Sequence, residues 1–315
     1  MNKILAAIAL IALLAVAAFV IAVWSASRGL SPEMLEAKYM TGADRFVEVA
    51  GARVRVREEG PEGAPAIILM HGFIFSLETW DDWAKALAPD YRVIRFDLAG
   101  HGLTGPDPQK RYSPDERAAF VGEVMDALGV DHAVIGGNSL GGLAAWRFAA
   151  IHPERVDGLI LVDPGAYSIN GVAAAPVEAP EAMKLFLRTA PEAGVKLSLS
   201  RIFGDDAFVT PERVALIRDM MRRRGNGEAF LQSIEEFTLP DPTEALSAIA
   251  APTLILWGAE DALIPAGHGL LMEAAMPNAR LVTFEGVGHA PQEEAAERSA
   301  YEARSFLDGL REAGH

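Results

Sequence analysis

Short apolar runs alternating with helix-forming stretches restrict what this chain can fold into more than any other feature. Ile67-Ile68-Leu69-Met70 shows no period-two alternation, as expected of a strand covered on both faces. Val93-Ile94-Arg95-Phe96, Ala133-Val134-Ile135-Gly136, Leu159-Ile160-Leu161-Val162 and Leu254-Ile255-Leu256-Trp257 follow, and Arg280 to Phe284 reads as a last strand. Helical patterns lie between them. Ser113-Pro114-Asp115-Glu116 has the residues of a capping box with proline at the first helical position. Such alternation leads to a parallel sheet with helices on both faces. Ahead of it, Phe46-Val47-Glu48-Val49 and Val54-Arg55-Val56-Arg57 alternate around Ala50-Gly51-Ala52 and read as half-buried antiparallel strands. The expected fold is α/β: a mostly parallel, doubly wound, eight-stranded sheet.

The rhythm breaks once. From Gly165 to Ala250 no buried strand is legible, only helical stretches such as Pro211 to Arg224 and Glu228 to Phe237, with Thr210 and Asp241 as caps. That length is too great for a loop and predicts a helical lid over 165–250. The core is then split into 31–164 and 251–315. Phe186, Leu187, Leu197, Phe203, Phe208, Met220, Met221, Phe230 and Leu231 are expected to pack the lid helices together, with some facing the cleft. Arg222-Arg223-Arg224 reads as a solvated helix end, with contact to anionic headgroups as the alternative.

Residues 1–30 form a separate unit. Ile4 to Trp24 carries no charge, glycine or proline. At about 1.5 Å per residue, a helix of that length spans a hydrocarbon core about 30 Å thick. The segment therefore reads as an uncleaved single-pass membrane anchor. The alternative is a signal peptide cut near Ser25-Ala26-Ser27, although a signal's apolar region runs only about 7–15 residues. Lys3 on one side and Arg28 and Lys38 on the other nearly balance. A short N-terminal tail left inside puts the catalytic domain outside the cytoplasm.

Charge excludes one class of partner. With 28 Lys and Arg against 43 Asp and Glu, the net charge is −15. Such a surface repels phosphate backbones, so no nucleic acid is expected. The absence of cysteine removes thiolate metal sites and a Cys nucleophile. No metal-ligating His or carboxylate spacing and no G-x-G-x-x-G appear, so neither metal nor cofactor is expected.

Gly137-Asn138-Ser139-Leu140-Gly141 sits between a strand and a helix, the context that gives G-x-S-x-G its meaning. A side chain at Gly137 or Gly141 is expected to collide with the neighbouring strand or helix. Together with His71-Gly72-Phe73, Asp97-Leu98-Ala99-Gly100-His101-Gly102, Trp257-Gly258-Ala259-Glu260-Asp261 and Gly286-Val287-Gly288-His289, it resembles the α/β-hydrolase family from Phe46 to the C-terminus. The resemblance implies a catalytic triad of Ser139, Asp261 and His289. A serine hydroxyl needs a base to take its proton, and imidazole titrates near working pH. The acid fixes the tautomer and stabilises the imidazolium. Asp163 and Glu260 compete with Asp261 for that role. The backbone N–H of Leu140 and, by the resemblance, that of Phe73 form the oxyanion hole. His71 and His101 are expected to organise backbone, and Asp97 to stabilise a turn. His132, His152, His268 and His315 read as surface residues.

With Phe73, Ile74 and Phe75 on the oxyanion loop, an apolar substrate pocket is expected. The combination is similar to membrane-associated monoacylglycerol lipases and esterases. It implies a serine hydrolase of carboxylic esters with apolar acyl chains, held to the membrane by its N-terminal helix. Gly137-Asn138-Ser139 is also similar to hydrolases that cleave carbon–carbon bonds in ring-opened aromatic acids, although the loop after His71 lacks their usual glycine run. A non-catalytic binding module on the same scaffold is the third reading.

Overall fold

The apolar runs become strands. A computed structural model describes residues 28–314 continuously, together with residues 5, 7, 8, 10–14 and 16–18. After helix α1 (Pro32–Tyr39) come β1 (Asp44–Val49), β2 (Ala52–Glu59), β3 (Ala66–Met70), α2 (Asp81–Leu87), β4 (Arg92–Phe96), α3 (Pro114–Ala127), β5 (Ala133–Asn138), α4 (Leu140–Ile151) and β6 (Val156–Val162). A helical segment follows: α5 (Glu181–Thr189), α6 (Glu192–Ile202), α7 (Pro211–Met221), α8 (Asn226–Glu236) and α9 (Thr243–Ser247). The sheet resumes with β7 (Thr253–Gly258), α10 (Gly267–Ala275) and β8 (Ala279–Phe284), and the chain closes on α11 (Pro291–Glu294) and α12 (Ala296–Ala313).

The eight strands lie in the order β1-β2-β4-β3-β5-β6-β7-β8. β2 runs antiparallel to β1 and β4, and the other pairs are parallel. In register, Ile68 pairs with Ile94 on one side and Ile135 on the other, placing three branched side chains abreast. Helices α3 and α4 cover one face, with Val124, Met125 and Phe148 in its core. On the other face Trp83 of α2 and Leu307 and Leu310 of α12 complete the second core layer. Burying each such side chain contributes about 1.5–3 kcal/mol. The capping box at Ser113 forms as expected.

The chain leaves β3 to one side for β4 and returns to the other for β5. This makes the β3/β5 boundary the topological switch point, where an open α/β sheet leaves a crevice beyond its carboxyl ends. The loop after Met70 and the turn after Asn138 both emerge there.

Three expectations need correction. The polar positions of β2 are not solvated: Arg55 and Arg57 are buried. Arg55 is held by Asp44 at 3.1 Å, Glu78 at 2.6 Å and Asp97 at 3.4 Å, and Arg57 by Asp44 at 2.9 Å. Charge pairing, rather than exposure, accommodates them. Second, α7 ends at Met221, and Arg223 is buried, with its guanidinium filling the space beside Gly105. Backbone pairing fixes this turn: Leu30 N–H donates to Arg222 O at 2.6 Å, and Arg224 N–H to Leu30 O at 2.9 Å. Third, Asp241, two residues ahead of α9, is not its N-cap but accepts from the Thr243 backbone N–H at 2.9 Å. The expected membrane-crossing helix is not shown. Among the described residues no helix is long and apolar enough to cross a membrane, and much of Ile4 to Trp24 lies outside them.

Candidate active site

Ser139 stands between β5 and α4 with φ 54° and ψ −111°, a backbone conformation that costs about 1–3 kcal/mol. Glycine makes it possible. A Cβ on Gly137 would lie 2.3 Å from the Gly141 carbonyl carbon, and one on Gly141 would lie 2.4 Å from the Met70 carbonyl oxygen. The elbow is pinned on both sides: Ser139 N–H donates to Val162 O at 3.0 Å, and Gly165 N–H to Ser139 O at 3.1 Å. The Leu140 and Phe73 N–H groups have no acceptor among the described residues. Two unsatisfied donors beside a partly open hydroxyl are what a developing oxyanion needs.

His289 follows β8 and is buried. Its Nδ1 lies 2.7 Å from Asp261 Oδ2. The other carboxylate oxygen of Asp261 accepts from Leu263 N–H at 2.7 Å and Ile264 N–H at 2.9 Å. Burial opposes the Asp261 charge, yet the His289 bond and these backbone donors hold its carboxyl below the ordinary range. The His289 backbone is clamped as well: its N–H donates to Ile202 O at 2.6 Å, and its carbonyl accepts from Asn138 Nδ2 at 3.0 Å.

Asp163, at the end of β6, is fully buried behind Asp261. Its Oδ1 accepts from Gly258 N–H at 3.0 Å, and its Oδ2 has no partner among the described residues. Burial first, and the Asp261 charge second, push its carboxyl well above the ordinary range, so it is neutral beside an ionised neighbour. Asp163, Asp261 and His289 place one ligating atom each within 4.8 Å of one another. They are the described group closest to a metal-binding set, but the Asp261 oxygens and His289 Nδ1 are already engaged in hydrogen bonds.

The β3 loop is organised by groups that do not face the chemistry. His71 Nε2 accepts from Leu98 N–H at 3.0 Å while its Nδ1 lies 2.8 Å from Gly72 O. Asp97 accepts from Leu77 N–H and Leu103 N–H at 2.8 and 2.7 Å. Burial lowers the pKa of both His71 and His101 and keeps them neutral. The Phe73 ring packs edge-on against His101 and Phe230.

A cavity of about 460 Å³ joins these parts. Ser139, His289, Leu140 and all three residues Phe73, Ile74 and Phe75 line it, facing Phe186, Leu187, Ile202 and Phe237 from the helical segment. Leu197 is instead exposed, and Met220 packs against Leu35 and Leu103.

Residues 65–296 match the family model described as the alpha/beta hydrolase fold. The chain belongs to the α/β-hydrolase family. It is 31% identical over 285 residues to a 2-hydroxy-6-oxononadienedioate/2-hydroxy-6-oxononatrienedioate hydrolase of Burkholderia vietnamiensis, covering 87% of this chain and 96% of that one. Among solved structures it is similar to a meta-cleavage product hydrolase of Pseudomonas fluorescens (25% identity, TM-score 0.73, 84% of this chain and 97% of that one). It is also similar to a membrane phospholipase A (27% identity, TM-score 0.72), and there 99% of both chains is covered.

In this α/β hydrolase Ser139, His289, Leu140, Phe73, Ile74 and Phe75 line one cavity, and Asp261 joins them through its bond to His289. Glu260, the other competing acid, is not among the partners of His289. The sequence shows Asn138 only as part of the elbow motif, with no sign of its bridging role. Its amide bridges Val162 O and His289 O, tying the serine turn to the histidine loop. Sequence reasoning also missed Glu294, whose carboxylate accepts from Gly288 N–H at 3.0 Å and Gly204 N–H at 2.7 Å. No local pattern signals either role.

Proposed function

We propose that this α/β hydrolase cleaves a bond next to a carbonyl group, with Ser139 as nucleophile, His289 as general base and acid, Asp261 as the orienting carboxylate, and the Phe73 and Leu140 N–H groups as the oxyanion hole. The observation that carries this reading is the buried His289–Asp261 pair opening onto the same cavity as a serine on a strained turn beside two free N–H groups.

In this scheme Ser139 Oγ bonds to the carbonyl carbon as its proton passes to His289, and the carbonyl electron pair moves to the oxygen. Collapse expels the leaving group with its bonding pair, and His289 returns the proton to it. Water, deprotonated by His289, then releases the acyl group as an acid. The helical segment acts as the lid that limits solvent access.

For the bond cleaved, carbon–carbon hydrolysis of a ring-opened aromatic acid has the better support. The relatives named above as dienedioate and meta-cleavage product hydrolases are of this kind, and ester cleavage, the first expectation from sequence, moves to second place. A carbon leaving group is feasible when its electron pair delocalises into a neighbouring carbonyl, as in a vinylogous diketo acid. The ester reading retains two supports: the largely apolar cavity wall and the whole-length likeness to a phospholipase A. That likeness, with the apolar sequence of Ile4 to Trp24, also supports an N-terminal membrane anchor. Retention of the full chain in carbonate-washed membranes tests the anchor.

Ser139→Ala is expected to abolish both fluorophosphonate labelling and turnover. Labelling that survives in this variant moves the nucleophile elsewhere. Turnover of a ring-opened diketo acid well above any p-nitrophenyl ester supports the carbon–carbon reading, and the reverse order replaces it with the ester reading.

A further inference from the structure

Arg117, on α3, is a buried cation on the wall of the reaction cavity. Its Nε donates to Tyr112 O at 3.1 Å, its Nη1 to Ala99 O at 3.0 Å and its Nη2 to Ser233 Oγ at 2.5 Å. All three acceptors are neutral. Among the described residues it forms no ion pair; Glu236, Asp107 and Glu116 act on it only at longer range. Burial lowers its pKa to about 10, which still leaves it charged at neutral pH. Arg55, another deeply buried guanidinium, in β2, meets three carboxylates instead.

A buried charge without a counter-charge is costly, and proteins keep such groups paired. A guanidinium has five N–H donors, so three single bonds leave one donor on each Nη. Two parallel donors match the two oxygens of a carboxylate. We infer that Arg117 is a carboxylate subsite of the reaction cavity, supplying the counter-charge for an acidic group carried by the substrate. The inference rests on the hydrolase reading above and deepens it: it names the residue that distinguishes an acidic substrate from a neutral ester. Arg201 also lines the cavity but is exposed, so water already solvates its charge.

The test is binding, independent of turnover. In full-length Ser139→Ala protein, calorimetry compares adipate monoamide, which carries one carboxylate, with neutral adipamide. The anion is expected to bind about tenfold to a hundredfold more tightly. Arg117→Gln should erase the difference, and Arg117→Lys should restore part of it by keeping the charge. Equal affinities, no measurable binding of the anion, or a preference that survives Arg117→Gln and disappears in Arg201→Gln would each overturn the assignment. Because wild-type residues at 117 and 201 suffice for the first comparison, a misfolded Arg117 variant does not rescue the idea. A loss of fluorophosphonate labelling in wild-type protein, by contrast, counts against the hydrolase reading and leaves the anion site standing.

Discussion

Two aspartates end neighbouring strands, yet they occupy opposite ionisation states. Asp261, beyond β7, receives two backbone N–H groups and a histidine, and stays charged despite burial. Asp163, after β6, receives one backbone N–H and faces a carboxylate, and stays neutral. Two carboxylates that close do not both ionise; the better-solvated one takes the charge. Donor count and neighbouring charge, rather than nearness to the histidine alone, decide which acid orients His289.

The comparison breaks most visibly at Asp261. Asp261→Asn is expected to lower kcat by about 10⁴-fold, by analogy with other triads in which the amide selects the wrong histidine tautomer. Steady-state kinetics on the folded variant measure it. A loss that large in Asp163→Asn, with Asp261→Asn left active, would reverse the two roles. Asp163→Ala comes next. It strips the acceptor from the Gly258 N–H and should cost about 1–3 kcal/mol of stability, read by denaturant unfolding.

Asp163→Asn has the smallest effect, and it depends on pH. The amide oxygen can still accept from Gly258. In wild-type protein the folded state keeps the Asp163 proton above the ordinary carboxylate value of 3.8, where the unfolded chain loses it. Its contribution is therefore fully present at low pH and declines as pH rises. The variant should gain stability over wild type as pH rises above about 4, with activity retained. Asp261 has the opposite sign, since its lowered pKa adds stability above the ordinary range that is lost on acidification. Against wild type, the Asp163→Asn unfolding curve should therefore change with pH above about pH 4, and the Asp261→Asn curve below about pH 4; two variants that depart from wild type over the same pH range would remove the distinction.

The elbow and its histidine were legible because local geometry demands small residues. Gly137 and Gly141 sit where any Cβ meets backbone, so the strand–turn–helix leaves its mark in the sequence. The sheet was legible because both-face burial removes alternation from its strands. The family resemblance puts Asp261 ahead of Asp163, and the structure supplies the hydrogen-bonding reason. The burial of Arg55, Arg57 and Arg223 was not legible, because their partners are distant in sequence and a charge read alone belongs at the surface. Bond preference was hidden for a different reason. An acyl-enzyme serves esters and activated ketones alike, and selection between them falls to cavity walls built from segments far apart in the chain.

The pairing of Leu30 with Arg222 and Arg224, reinforced by Lys38 and Tyr39 gripping Asp219, fastens the start of the described chain to the far end of α7. The same stretch is also tied to the sheet, where Arg53 and Arg55 of β2 reach Glu36 at 2.7 Å and the Tyr39 carbonyl at 3.3 Å, so α1 couples the helical segment to the antiparallel edge of the sheet.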